Sequence, residues 1–343
     1  MPVRHPERPV VTVEPLFPDP SDAHRVVELA HQFGRYRIYG EAEQVDLDLS
    51  RGLRPREDSV QHFLRTGGAR GRDQEVSIGT LASRTSYFRE EYAYGGHEHA
   101  GGIEGFLHNA GLVDAARKVF DRPIVEPSIA FANLMLPGQE LAVHTDVPEF
   151  RGVSRKNLPQ WLLVVMHHSG LFDDWRLSIA TGIAYFQDSP SGALRYWPAG
   201  AGSEPTRVPV RANTAVVLDT DSVFHGVDPV GDGVEAPRLA TGATLAADEE
   251  DGTWRLTDAE GAPLGTFDWD QLRFSVSWKA YCFTDEADRA TWRGGGDDLT
   301  VDAIVDRLVV DLVERGLVAP NVARDPELGR LLIDTYVRYP TTV

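Results

Sequence analysis

Cysteine is nearly absent from this chain: Cys282 is the single thiol in 343 residues. One thiol excludes an internal disulfide and fits a reducing compartment. Long apolar runs are missing too, and nothing approaches the roughly 20 residues that a membrane-spanning helix needs. The opening residues Met1-Pro2-Val3-Arg4-His5-Pro6 lack the apolar core of a signal peptide, so the expected location is cytoplasmic. Basic charge is scarce: 34 Lys and Arg stand against 52 Asp and Glu, a formal net charge of −18. Such a chain repels phosphate backbones and anionic headgroups, so neither nucleic acid nor a membrane is expected as partner. No internal repeat is evident, which argues against a solenoid.

What the chain does have is histidine and aspartate in an informative setting. His144 and Asp146 end the apolar run Leu141-Ala142-Val143-His144-Thr145-Asp146, which reads as a strand. Side chains two apart on a strand share a face, so both can grip one metal, whereas on a helix they would diverge by roughly 200°. His225 follows a second strand-like run, Thr214-Ala215-Val216-Val217-Leu218, and opens His225-Gly226-Val227-Asp228-Pro229-Val230. Two imidazoles and one carboxylate leave the remaining metal positions open, the arrangement of non-haem Fe(II) oxygenases. Read blandly, the two histidines are hydrogen-bonded residues of a β-sandwich.

Together with Arg273-Phe274-Ser275, this pattern resembles the Fe(II)/2-oxoglutarate-dependent dioxygenase superfamily, whose signature is H-x-D, a distal His, then R-x-S or a lone Arg on a late strand. Gly192-Ala193-Leu194, followed by His225-Gly226-Val227 and Pro229-Val230, is similar to the prolyl-hydroxylase-like form G-x-L…H-x-V-x-P-V. The resemblance covers roughly residues 125–285. It implies a double-stranded β-helix (jelly-roll, cupin-like) core with flanking helices, mainly β within an α+β chain. It also implies Fe(II) held by His144, Asp146 and His225, with 2-oxoglutarate and O2 as co-substrates. The distal carboxylate of 2-oxoglutarate would meet Arg273 and Ser275. Arg238 competes for that role because it follows His225 at the spacing common in relatives, while Arg273 comes much later. Arg273 is preferred because a guanidinium clamp needs a rigid, strand-fixed base.

The implied reaction is hydroxylation of an unactivated C–H, releasing succinate and CO2. Halogenases of the family lack the carboxylate kept here as Asp146, so halogenation is disfavoured; desaturation and ring closure stay open. The substrate is expected to be a small polar metabolite such as an amino acid or biosynthetic intermediate. The alternatives are a peptidyl or protein hydroxylase and a non-catalytic metal-binding β-barrel. The partner is thus a small molecule, and the chain a monomer or homodimer.

Along the chain, three regions are expected: a helical and loop region over 1–122 packing on the core, a catalytic β core over 123–285, and a helical region over 286–343. Within the core, an acidic, turn-rich stretch over about 232–271 reads as an inserted hairpin, with strands at 253–256 and 264–267. Residues from about 244 to 268 have little core to lose and are expected to tolerate change in folding while shaping substrate choice. Helices are expected after Ser21, from about Ile103 to Phe120, and over 301–316, the last packing its apolar face on the sheet or on a second copy. Residues 41–75 show no clear period, and 67–72 read as a mobile loop. Strands are expected at 130–136, 161–166 and 183–186.

Several further residues invite a functional reading. His97 and His99 lie among glycines and read as a substrate-facing lid or a plain solvated loop. Arg151, Arg155 and Lys156 follow H-x-D and could meet a carboxylated substrate, or be ordinary loop charge. His167 and His168 close an apolar strand, so at most one faces the barrel interior.

Overall fold

The computed structural model of the chain describes residues 9–40, 45–71, 77–248, 250–296 and 298–341. Residues 1–6, Arg72 and Glu249, on which some of the expectations fall, lie outside these. In chain order the strands are β1 (Val11–Val13), β2 (Arg35–Ile38), β3 (Phe88–Tyr94), β4 (His97–Glu98), β5 (Ile124–Met135), β6 (Leu141–His144), β7 (Ser178–Tyr185), β8 (Ser189–Tyr196), β9 (Thr206–Val210), β10 (Thr214–Leu218), β11 (His225–Val227), β12 (Thr244–Ala247), β13 (Trp254–Thr257), β14 (Pro263–Phe267) and β15 (Arg273–Phe283). The helices are α1 (Pro20–Phe33), α2 (Glu57–Thr66), α3 (Ile78–Arg84), α4 (Glu104–Leu107), α5 (Ala110–Phe120), α6 (Gln160–Ser169), α7 (Glu286–Gly294), α8 (Val301–Glu314) and α9 (Pro326–Tyr336).

The strands form two antiparallel sheets. The larger runs β1-β10-β7-β15-β5-β3-β2-β12-β13-β14 with β4 beside β3, and the smaller runs β6-β11-β8-β9. Strand alternation on β15 sorts the core from the site. Phe274, Val276, Trp278 and Ala280 point into a large apolar cluster shared with Ala23 and Val26 of α1 and Leu112 and Ala116 of α5. The intervening Arg273, Ser275, Ser277 and Lys279 point into a cavity, as the period of two requires. β5 repeats the pattern: Ala130, Ala132 and Leu134 join the apolar cluster, while Phe131, Asn133 and Met135 line the cavity. Ile183 and Val216 of the large sheet pack with Leu194 and Val210 of the small one, closing the space between the sheets.

Several sequence expectations need correction. Residues 161–166, expected as a strand, form the middle of α6, which is buried on all sides; an unbroken apolar run carries no period to tell the two apart. The helix expected over 103–120 is broken, because Asn109 caps α5 by accepting the Leu112 amide at 3.1 Å and donates its own amide to the Leu16 carbonyl at 3.0 Å. A side chain that satisfies backbone groups locally favours a helix start over a helix interior. Within the stretch read as aperiodic, residues 57–66 form α2, and Gly68–Arg70 form a 3₁₀ turn rather than an open loop. The region ahead of residue 123, expected as helix and loop, also supplies β1 to β4. Helix α8 packs Ile304, Val305, Leu308 and Leu312 not on the large sheet but into a second core with α6 and α9.

The hairpin is present, with β13 and β14 paired antiparallel. It is not peripheral: β12 links it to β2, and Leu245, Trp254 and Leu256 are fully buried in the main core. The expectation that this segment has little core to lose is therefore wrong. In sequence its buried residues are isolated between acidic turns, and only the pairing with β2 gives them a surface to cover.

Candidate metal centre and cavity

A cavity of about 150 Å³ lies between the two sheets. The small sheet carries the histidines. His144 ends β6 and His225 begins β11, and the two are direct cross-strand partners, with ring centroids 4.3 Å apart. Gly226 allows this close strand approach, since a Cβ there would sit 2.8 Å from the Leu141 carbonyl. Asp146 follows two residues beyond His144, held by its amide donating to the Thr220 carbonyl at 2.8 Å.

One ligand atom each from His144, Asp146 and His225 lie within 4.8 Å of one another. Asp146 Oδ1 is 3.5 Å from His144 Nε2 and 3.7 Å from His225 Nε2. The far side of each ring is already committed: His144 Nδ1 lies 2.8 Å from the Ala142 carbonyl, and His225 Nδ1 lies 2.9 Å from the Val223 carbonyl. A carbonyl can only accept, so Nδ1 carries the proton and Nε2 turns its lone pair to the shared centre. Burial, reinforced by the neighbouring His144, pushes His225 down to about 3, so it stays a neutral, coordinating imidazole near neutral pH. The donor set fits a divalent metal with open positions.

The second oxygen of Asp146 has its own partners. Thr220 Oγ1 donates to Oδ2 at 2.7 Å and Lys279 Nζ at 2.6 Å. Burial raises the Asp146 carboxyl, but the Lys279 ammonium, together with His144 and His225, outweighs it and holds the group well below the usual carboxylate range. Arg56 braces the same segment by donating to the Thr145 carbonyl at 2.8 Å, while Asp58 neutralises its guanidinium at 3.0 Å.

Arg273 lines the same cavity. It is 2 % exposed, yet no carboxylate among the described residues pairs with it. Its Nε donates to the Gly192 carbonyl at 2.7 Å, Nη1 to Ser275 Oγ at 3.1 Å and Nη2 to Tyr185 Oη at 3.2 Å. Burial lowers its pKa from the ordinary arginine value, the direction expected of a cation without a counter-ion. Gly192 adopts φ +70°, and a Cβ there would lie 2.6 Å from Arg273 Cδ. The glycine of the G-x-L element is thus the slot through which the arginine passes.

The other sequence candidates are dispersed. Arg238 is exposed and does not line the cavity. His97 and His99 are exposed on and beside β4, and His99 Nδ1 pairs with Glu91 at 2.9 Å. Arg151 donates to the Asp174 carbonyl at 2.6 Å and stays outside the cavity lining, whereas Arg155 belongs to it. His167 and His168 sit at the end of α6, on no strand at all; His167 bonds Ser222 at 3.0 Å and His168 stacks on Phe224. Lys279, Thr220, Arg56 and Arg89 were not singled out in the sequence. Only Lys279 had a signal there, because the alternation Arg273, Ser275, Ser277, Lys279 continues past the R-x-S motif.

No protein-family model matches this chain, and no curated protein does. Solved structures align over most of it at low similarity. A Pseudomonas putida prolyl-4-hydroxylase is 13% identical, covering 80% of this chain and 92% of its own, with a TM-score of 0.35. A 2OG-Fe(II) oxygenase family oxidoreductase from Burkholderia pseudomallei is 10% identical, covering 79% and 84%, with a TM-score of 0.40. The non-heme alpha ketoglutarate dependent epimerase SnoN from nogalamycin biosynthesis is 12% identical, covering 88% and 91%, with a TM-score of 0.41. The functional reading rests on the site.

Proposed function

We propose that the protein is an Fe(II)- and 2-oxoglutarate-dependent oxygenase built on a double-stranded β-helix, hydroxylating a C–H bond of a small polar metabolite. One observation carries the reading: a two-histidine, one-carboxylate donor set and a buried arginine without a counter-ion line the same small cavity. His144, Asp146 and His225 would hold the iron. Arg273, with Ser275 and Tyr185 beside it, would take the distal carboxylate of 2-oxoglutarate through charge-assisted hydrogen bonds. Bound iron and 2-oxoglutarate supply the activation of O2 that releases succinate and CO2 and oxidises the substrate C–H.

The chain's own residues do the positioning. Ala142 and Val223 carbonyls fix the imidazole tautomers. Lys279 and Thr220 occupy Asp146 Oδ2 and leave Oδ1 directed toward the histidines. Leu194, Ile183 and Val227 add an apolar wall, which strengthens every charged contact inside. A cavity of about 150 Å³ between the sheets favours a small substrate over a folded one.

The test is succinate formation from 2-oxoglutarate with Fe(II) across a panel of small metabolites and peptides. His144→Ala, Asp146→Ala and His225→Ala should each abolish it while circular dichroism stays native. Succinate from any of them at near wild-type rate under limiting iron would remove the triad from the mechanism. A wild-type chain that binds iron but never turns over 2-oxoglutarate would leave only a metal-binding barrel.

A further inference from the structure

The cavity holds more positive charge than its iron and 2-oxoglutarate roles consume. Five cations line it, Arg56, Arg89, Arg155, Arg273 and Lys279, against one carboxylate, Asp146. Lys279 is matched by Asp146 and Arg56 by Asp58, and Arg273 is assigned above. Arg89 and Arg155 are left over, and neither has a carboxylate partner among the described residues, in a chain with 52 acidic side chains. The acids next to Arg89 on β3 are engaged elsewhere: Glu90 pairs with Arg37 at 2.8 Å and Glu91 with His99 at 2.9 Å.

Arg89 is also held in one pose. Its Nε donates to Asn133 Oδ1 at 2.9 Å. Its guanidinium carbon lies 4.5 Å from the Tyr39 ring centroid, 5.1 Å from Tyr87 and 4.8 Å from Phe131. Aromatic faces stabilise the cation without neutralising it, and they leave the Nη1 and Nη2 edge as a planar pair of donors. Strand register separates this edge from the 2-oxoglutarate clamp. Arg89 is opposite Asn133, and Asn133 is opposite Ser275, so Arg89 stands two strands, roughly 10 Å, from β15.

We propose that Arg89 and Arg155 form a second anion site that binds a carboxylate of the substrate. That the bound anion is the substrate rests on the oxygenase reading; the anion site itself does not. Arg89 offers the rigid fork that a planar carboxylate meets in two parallel bonds. Arg155, from the loop after the H-x-D segment, supplies a second charge at the same cavity. The hydroxylated metabolite is then a small carboxylic acid, its acid group held at Arg89 and its carbon chain left to reach toward the histidines.

The experiment measures binding first to the metal-free full-length chain by calorimetry, so that the outcome does not depend on iron. The probes are hexanoate and phenylacetate, each against its primary amide, with inorganic phosphate alongside. The carboxylates should bind and the amides should not. Arg89→Gln and Arg155→Gln should each weaken the carboxylates about ten- to hundredfold, the range for a hydrogen bond to a charged group, while Arg238→Gln, exposed and outside the cavity, should not. Arg89→Lys should recover only part of the affinity. Repeated anaerobically with Fe(II) and saturating 2-oxoglutarate, the probes should still bind. Amides binding as well as acids, phosphate binding where carboxylates do not, or both Gln variants retaining wild-type affinity would overturn the proposal. So would displacement of the probes by 2-oxoglutarate together with its loss in Arg89→Gln, which would make Arg89 a co-substrate ligand. Arg155 lies on a loop, so Arg155→Gln remains informative if the β3 variant fails to fold. Loss of 2-oxoglutarate binding in the wild type with the probe results intact would instead strike the oxygenase reading.

Discussion

Gly192 and Arg273 act as one unit although they lie far apart in the chain. The contact between Gly192 and Arg273 Cδ leaves no space for a methyl group, and φ +70° strains any L side chain. Gly192→Ala should displace the guanidinium and weaken 2-oxoglutarate about ten- to hundredfold through the loss of charged hydrogen bonds, as an anaerobic binding titration would read; wild-type affinity would break the link. Lys279 is the other residue on which the centre depends. Lys279→Met leaves Asp146 Oδ2 with only the Thr220 hydroxyl, and should destabilise the metal-free chain by about 1–3 kcal/mol, below the full cost of an orphaned charge because the Asp146 side chain is 23% exposed. Added Fe(II) should then raise the melting temperature of the variant more than that of the wild type, since metal restores the missing positive charge; equal increments would contradict this. At this scale the clustering of His144, Asp146 and His225 and the inward position of Arg273 were legible because motif and period agree. Arg89 and Thr220 were not, since their place in the cavity depends on register between strands that no local pattern encodes.

Elements were legible where a period or a cap decided them, and misread where neither did. α1, expected after Ser21, starts slightly earlier at Pro20: Asp19 is its cap, accepting the Ser21 amide at 2.9 Å, and Gly34 at φ 72° closes it. α6 has no period to announce it, and only its tertiary surroundings settle its form. The hairpin insert is the more instructive failure. Trp254 is fully buried between Tyr36, His31 and Trp269, so Trp254→Ala should cost about 3–5 kcal/mol. Shortening the exposed turn at 258–262 should leave the denaturation midpoint nearly unchanged, because its hydrogen bonds stay within the turn. Denaturant melts of the two variants make the comparison. A tolerated Trp254→Ala would return the insert to the status of an appendage.

Across the whole molecule, distant parts of the chain converge on the metal segment. Near the C-terminus, Tyr339 donates to Asp58 at 2.8 Å, Asp58 pairs with Arg56, and Arg56 holds the Thr145 carbonyl between His144 and Asp146. Tyr339 stacks on His62 at 4.4 Å. Burial, followed by the nearby Arg65, lowers His62 from 6.5 to about 4, so it is neutral in the fold and charges on unfolding below pH 6.5. Its contribution is fully present above pH 6.5 and is lost as pH falls from there toward 4. His62→Phe, which keeps the ring stack, should make urea stability less acid-sensitive across that window; an unchanged pH slope would exclude His62 as the cause. No helix among the described residues is long and apolar enough to cross a membrane, and the acidic exterior encloses a cationic cavity, a contrast that composition alone could not localise. The most direct test of iron and 2-oxoglutarate binding at this centre is anaerobic titration of the Fe(II)-loaded chain with 2-oxoglutarate, followed by the metal-to-ligand charge-transfer absorbance of the chelate. The band should saturate in the wild type and in Arg238→Ala at the same concentration, and Arg273→Ala should need roughly 30-fold to several thousand-fold more, the equivalent of about 2 to 5 kcal/mol. A wild-type chain that develops no band, or an affinity lost in Arg238→Ala and kept in Arg273→Ala, would contradict it.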